Sequence, residues 1–304
     1  MHIYNSPLAS LDSPAVVALG CFDGVHIGHA AVIRTAKEKA VSLGLPLAVF
    51  TFEEPPRNFF SPRAVPMICT VSDKLAHLEA LGVDIAVCVP LSEQIFKTTA
   101  EDFVRHILLS RLKAACVVCG YNYRFGKHAL GDPKLISQIC READVSAFVV
   151  DETKYENMPV SSSRIRAAIA DGDVQLARAL LGRPYSLTSR VVDGQHLARR
   201  LGFPTVNTLP DERLVTPRNG VYLTIVTVDG KAYRGVTNTG VRPTVNTRFP
   251  CVETHLLGFD GNLYGMTVKT EFMKFIRDEK KFGSVEDLAT QVKKDIQTAS
   301  DMEI

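Results

Sequence analysis

The ten residues Gly20-Cys21-Phe22-Asp23-Gly24-Val25-His26-Ile27-Gly28-His29 hold three glycines, two histidines and a carboxylate. Imidazoles at i and i+3, beside backbone freed by Gly20, Gly24 and Gly28, are donors for an anion. What surrounds them supports this. The apolar run Ala15 to Leu19 reads as a buried strand, and Val32, Ile33, Ala36, Ala40 and Val41 recur at helical spacing in the stretch that follows. A strand-to-helix turn aims free N–H groups and the positive end of a helix dipole at its ligand, most naturally phosphate.

Three further stretches in this half carry chemistry, each just after an apolar run. Thr51-Phe52-Glu53-Glu54-Pro55-Pro56-Arg57 is stiffened by its prolines. Gly120-Tyr121-Asn122-Tyr123-Arg124-Phe125-Gly126 reads as a wall for a flat ring, or as a loop that plugs a gap. Ser161-Ser162-Ser163-Arg164-Ile165-Arg166 reads as ordinary N-capping, or as a polyphosphate cradle of hydroxyls and forked guanidinium donors. No G-x-G-x-x-G follows the first strand, and Gly120 to Lys127 misses the P-loop spacing.

The elements that must position these groups alternate. Strands are expected at 47–52, 83–89, 114–119 and 145–150, with helices at 72–81, 100–112, 133–143 and up to Ala170. That order predicts a parallel, doubly wound sheet with ligands at the carboxyl ends of its strands. A helix at 174–181, followed by Gly182 and Pro184, predicts a domain boundary there, giving domains 1–182 and 183–304.

Beyond it the period changes. Segments 185–192, 220–228, 231–238, 251–257 and 263–271 are short, rich in Val, Thr and Tyr, and separated by glycine turns, which predicts an antiparallel barrel. A closing helix from Val285, capped by Ser284, carries Leu288, Val292 and Ile296 on one face toward it. Within this half, Gly194 to Gly202 leads through Phe203 and Pro204 into Thr205-Val206-Asn207. A hydroxyl and an amide on one face of an extended segment suit Mg2+, although the same residues also build a turn before a strand. Alternation puts Glu253 and His255 together on one strand face. Glu253 is then either a base pointing into the barrel mouth or an exposed carboxylate with an ionic partner.

Composition bounds the partners. With 35 basic and 33 acidic residues the net charge is +2, which offers no broad footprint for nucleic acid. No apolar run approaches the roughly 20 residues of a membrane span, and no basic-then-apolar leader opens the chain, so a cytoplasmic protein is expected. Seven cysteines in apolar runs read as free thiols, and Cys116 and Cys119 should point to opposite faces of a strand. A homo-oligomer stays possible.

The string Gly-x-Phe-Asp-Gly-x-His-x-Gly-His, the Tyr-Arg-Phe-Gly loop and Ser-Ser-Ser-x-Ile-Arg resemble the FAD synthetase module of the prokaryotic bifunctional riboflavin kinase/FAD synthetase family, a branch of the Rossmann-like nucleotidyltransferases. The Pro-Thr-x-Asn motif, Asn238 to Thr244, Glu-Thr-His-Leu and Phe275 to Phe282 resemble its riboflavin kinase module. The resemblance spans nearly the whole chain. It implies that Glu253 is the kinase base, that Thr205 and Asn207 hold Mg2+, and that Gly194, Gly202 and Pro204 border ATP. It also implies that His26 and His29 act in adenylylation, with Gly20, Phe22, Asp23, Gly24, Gly28, Ser162, Ser163 and Arg166 around a second ATP and Asn122, Tyr123 and Phe125 around FMN. Riboflavin and ATP would give FMN, then FAD. The sequence departs from the family at Ala198, at Glu54 and Pro55 in place of Pro-His, at Asn122, and at Gly258 and Asn262. The departures at Ala198 and Pro55 sustain one competing reading, a flavin-binding or sensing protein with a decayed site; a second, an adenylyltransferase for another phosphate, is opposed by the barrel with Pro-Thr-x-Asn. A tRNA synthetase relative is disfavoured by the small size and near-neutral charge.

Overall fold

The computed structural model describes residues 1–61, 63–193, 203–243 and 248–303. They form two compact units, Met1–Ser162 and Ser163–Ile304.

In the first unit, β1 (His2–Tyr4) and β2 (Ala15–Leu19) precede α1 (Ile27–Leu43), β3 (Leu47–Phe52), α2 (Val71–Ala80) and β4 (Ile85–Val89). There follow α3 (Glu93–Lys97), α4 (Ala100–Asp102) continued by a π-helix over Phe103–Arg111, β5 (Ala114–Gly120), α5 (Pro133–Glu142), β6 (Ser146–Val150) and the small hairpin β7 (Lys154–Tyr155) and β8 (Met158–Pro159). Six strands pair in parallel in the order β1-β4-β3-β2-β5-β6. Helices cover both faces, as β2 illustrates. Its Ala15, Val17 and Leu19 pack with Phe50, Val117 and Ile139, whereas Val16 and Ala18 pack with Val32, Ile33 and Val118. The expected doubly wound sheet is present.

Strand β1 was not expected, since three residues are too few for alternation to register. Cys116 and Cys119 lie in the opposite apolar layers, and burial pushes the Cys119 thiol up to about 12 and Cys116 in the same direction. Both are inert as nucleophiles at neutral pH.

The strand order reverses at β2, which has β3 on one side and β5 on the other. A crevice therefore opens past the carboxyl ends of β2 and β5. The turn Gly20 to His29 lies there. It is held in a demanding conformation: Phe22, Gly24 and Val25 all have positive φ (50°, 79° and 41°). Asp23 fixes it, accepting the Ile68 N–H at 2.9 Å, and a Cβ on Gly24 would meet the Ile68 side chain at 2.9 Å.

The second unit begins on α6 (Ser162–Ala170) and continues through α7 (Val174–Leu181), β9 (Tyr185–Val192), β10 (Thr205–Thr208), β11 (Gly220–Val228), β12 (Lys231–Pro243), β13 (Arg248–Leu256), β14 (Thr267–Arg277) and α8 (Val285–Asp301). The strands close an antiparallel barrel in the order β10-β13-β12-β11-β14-β9. Helix α7 ends at Gly182 in the left-handed conformation, as its glycine predicts, yet it packs against β9 and β14 and groups with the barrel.

The barrel interior is filled. Thr224, Thr237 and Thr254 form a ladder of hydroxyls at 2.7 and 2.8 Å, with Val191, Val226, Leu256 and Val268 clustered apolar beside one another. Outside, Ile296 and Ala299 of α8 pack on Val221, Leu223, Val236 and Met273. The Ser284 hydroxyl caps α8, accepting the Asp287 N–H at 3.1 Å. One strand starts later than its sequence suggests. Leu263 is buried with the Val226 and Val268 cluster but in a loop, which turns at Gly265 (φ 78°) before β14 begins at Thr267.

Candidate active sites

A cleft of about 310 Å3 lies at the reversal of the sheet, bordered by Gly20, Phe22, His26, Gly28 and His29 from the turn, Asn122 and Tyr123 after β5, and Ser162. His26 is the N-cap of α1, its Nδ1 accepting the His29 N–H at 3.2 Å. Since Nδ1 accepts, the neutral ring carries its proton on Nε2. The two imidazoles stack at 3.5 Å, and the edge of Phe22 abuts His29 at 5.3 Å. A Cβ on Gly28 would stand 3.2 Å from the His26 ring. The Ser162 hydroxyl donates to the Asp23 carbonyl at 3.0 Å, joining the serine cluster to the turn.

Not every expected residue reaches this cleft. Asp23 is 2% exposed with its carboxylate on Ile68, and neither it nor Gly24 borders the cleft: they shape the turn from beneath. Ser163 is exposed and Arg166 buried, both on the part of α6 that groups with the second unit.

A second cavity of about 410 Å3 adjoins the first. It is an aromatic slot. Phe52 and Phe96 lie parallel at 6.3 Å, Phe60 meets Phe96 at 4.8 Å, and Tyr123 stacks on Phe125 at 5.6 Å. Phe125 thus borders this cavity rather than the first. The two cavities share Phe52, Pro56, Tyr123 and Arg124. Burial, then the Cys119 and Cys21 thiols, drive the Tyr123 phenol upward, so it stays a neutral hydroxyl.

Sequence reasoning missed Phe60, Phe96 and Lys74, and it placed Arg124 in the aromatic loop without a role of its own. Of the three missed, only Phe60 had a local signal, lying in an aromatic pair just past two prolines. Lys74 occupies an α2 position that looks like a solvated face, yet it is 1% exposed, and its Nζ donates to the carbonyls of Phe52 and of Glu53, the latter at 3.3 Å. It therefore anchors the loop that supplies Phe52 and Pro56 to the shared wall. Lys74→Met leaves both carbonyls short of a donor, at about 1–3 kcal/mol each. A lower melting temperature is expected, and weaker use of any ligand in the aromatic slot; a melt and KM unchanged from the parent would remove Lys74 from this role.

In the second unit, register places Thr205 opposite His255 and Asn207 opposite Glu253. Glu253 does not point into the barrel mouth, which is the expectation the structure corrects. The threonine ladder takes up the interior through Thr254, so the alternate residues Glu253 and His255 face outward, on the side that α8 covers. Two cavities result. One of about 340 Å3 is bordered by Pro204, Thr205, Asn207, Asp260 and Tyr264; the other, of about 280 Å3, by Thr205, Asn238, Glu253, His255, Arg277 and Asp295. Thr205 borders both. His255 Nδ1 lies 2.9 Å from the Pro204 carbonyl, fixing the entry to β10. Arg277 and Asp295 pair through two hydrogen bonds of 2.9 and 2.7 Å, tying α8 to the end of β14. Gly194 and Gly202, like Ala198, lie outside the described residues.

Among the described residues no three His, Cys, Asp or Glu side chains converge as a metal cluster. Thr205 and Asn207 supply a hydroxyl and an amide oxygen two positions apart, with the Glu253 carboxylate across the ladder. So sparse a set of hard oxygens fits a small divalent ion that keeps water and completes its shell with phosphate.

Comparison with known proteins finds two modules in the chain. A FAD synthetase family model matches residues 8–164 and a riboflavin kinase family model residues 181–303. The bifunctional riboflavin kinase/FMN adenylyltransferase of Haemophilus influenzae is 36% identical over 288 residues, 93% of this chain and 92% of that protein. Its Bacillus subtilis counterpart is 34% identical over 290 residues, covering 94% and 91%. A Streptococcus pneumoniae crystal structure described as a macrolide-efflux protein is 29% identical, covers both chains completely and superposes with a TM-score of 0.92. Among the described residues of this chain, no helix is long and apolar enough to cross a membrane. By its two matched modules and its near-full-length relatives, the chain belongs to the bifunctional riboflavin kinase/FMN adenylyltransferase family.

Proposed function

We propose that this chain phosphorylates riboflavin with ATP to give FMN and adenylylates FMN with a second ATP to give FAD and pyrophosphate. The observation that carries this reading is that each unit holds two neighbouring cavities, which in the first unit share four residues beside the imidazole pair and in the second meet at Thr205. We place the module boundary near Gly182 and the protein in the cytoplasm, where its free thiols stay reduced.

In the kinase module, riboflavin occupies the cavity under α8 and ATP the one past Thr205. Glu253 accepts the proton of the ribityl 5′-hydroxyl as that oxygen attacks the γ-phosphorus and ADP leaves. Thr205 and Asn207 would hold Mg2+, which neutralises charge on the transferring group when bound. His255 holds Thr205 in place through the Pro204 carbonyl. In the adenylyltransferase module, ATP lies along the Gly20 to His29 turn and the flavin ring in the aromatic slot, with Asn122 and Tyr123 between them. His26 and His29 donate to the oxygens on which charge builds. Ser162 reaches the triphosphate from the turn, and by the motif Ser163 and Arg166 complete that set.

Purified protein given riboflavin, ATP and Mg2+ should form FMN first and FAD after a lag, followed by chromatography. Binding of FMN with no ATP turnover would instead establish a flavin-binding protein.

A further inference from the structure

Arg124 stands where the two reacting phosphates of the adenylyltransferase must meet. The nucleotide cleft and the aromatic slot share four residues, Phe52, Pro56, Tyr123 and Arg124, and only Arg124 is charged. No other Lys or Arg borders the nucleotide cleft among the described residues. A flavin ring in the slot and a nucleotide on the turn bring a phosphate monoester dianion against a triphosphate, and two anions approach closely only beside a cation. The histidines lie on the nucleotide side of that meeting point.

The guanidinium is held ready for this. The loop behind it is fixed by reciprocal backbone bonds between Phe125 and Gly131 (3.3 and 2.9 Å) and by Gly126, whose φ of 71° and approach to Ala100 leave no room for a side chain. A Cβ there would lie 2.6 Å from the Ala100 Cα. Arg124 itself faces Asp132 Oδ2 at 3.6 Å, beyond hydrogen-bond length, while Asp132 Oδ1 is engaged in capping α5 through the Leu135 N–H at 2.9 Å. The Arg124 side chain is 58% exposed. A pair so long and solvated gives way readily to a forked grip on phosphate.

We propose that Arg124 is a catalytic residue of FMN adenylylation, binding the phosphate monoester of FMN and aligning one of its oxygens on the ATP α-phosphorus. That oxygen forms the new P–O bond as the bond from the α-phosphorus to the α,β-bridging oxygen breaks. The bridging oxygen keeps the electron pair and leaves in pyrophosphate, and Arg124 exchanges no proton.

This inference rests on the placement of FMN adenylylation in the first unit, so His29→Ala is measured beside the Arg124 variants in the full chain. Arg124→Gln is expected to raise the KM for FMN about 10- to 100-fold, the effect of losing hydrogen bonds to a charged group. The KM for ATP should move less than about twofold, and riboflavin phosphorylation should stay at the parent rate. Arg124→Lys, which keeps the charge without the fork, should fall between. Asp132→Asn, which keeps the cap but removes the competing charge, should lower the KM for FMN and so tests the idea even if Arg124→Gln folds poorly. An unchanged KM for FMN in Arg124→Gln, or a rise confined to ATP, overturns the role of Arg124 while His29→Ala still abolishes FAD formation. Full FAD formation by His29→Ala would overturn the placement itself.

Discussion

Replacing Glu253 by alanine is expected to slow riboflavin phosphorylation by about 100- to 10,000-fold, the span contributed by a positioned general base, while adenylylation of supplied FMN proceeds at the parent rate. The separation of effects follows from the architecture. Glu253 lies on β13 in the second compact unit, while the imidazole pair belongs to the first. Its place on the outer barrel face is set by the register of β10 and β13 and by the threonine ladder behind it, neither of which depends on the Glu253 carboxylate. The fold should therefore survive the change. Glu253→Gln keeps the shape and removes the proton acceptor, so it should be nearly as slow. The check is the rate of FMN formation from riboflavin and ATP, with FAD formation from added FMN as the internal control. A parent-like rate of FMN formation in either variant would transfer the base to another group.

The second large effect concerns His29. Its alanine variant should lose FAD formation by about 100- to 1,000-fold, the cost of removing one donor aimed at developing charge, with FMN formation preserved. The substitution spares the helix cap. His26 is capped by the backbone N–H of residue 29, which alanine retains, so the start of α1 and the orientation of the His26 ring keep their hydrogen bond. The 3.5 Å ring stack and the edge contact with Phe22 are lost. His26→Ala removes the cap as well, so it should lose about 1 kcal/mol of stability in addition to activity. Parallel melts and FAD assays separate the two variants; loss of FMN formation in His29→Ala would point to damage to the whole chain.

Much of this site was legible because it depends on local rules. The turn from Gly20 to His29 announces itself through its glycines, of which Gly24 takes a positive φ, and through the change from an apolar run to a helical period. Alternation along β13 paired Glu253 with His255 correctly. It could not tell inside from outside, since period two names two faces without saying which is covered, and the polar Thr224, Thr237 and Thr254 here occupy the interior. Asp23 misled for a related reason. A carboxylate among histidines and glycines looks like chemistry, and its acceptor role toward Ile68 is a contact across 45 residues that no local pattern carries. Lys74 and Phe96 were hidden in the same way, because the contacts of each are tertiary.

The partition of Phe52, Pro56, Tyr123 and Arg124 has a consequence for turnover. On the proposed placement, FAD is the one molecule whose halves fill both flanking cavities at once, whereas ATP and FMN each fill one. Joining two ligands makes the second contact intramolecular, so the joined molecule is held more tightly than either part. On that placement slow escape of FAD, and inhibition of its synthesis by accumulating FAD, are the expected consequences.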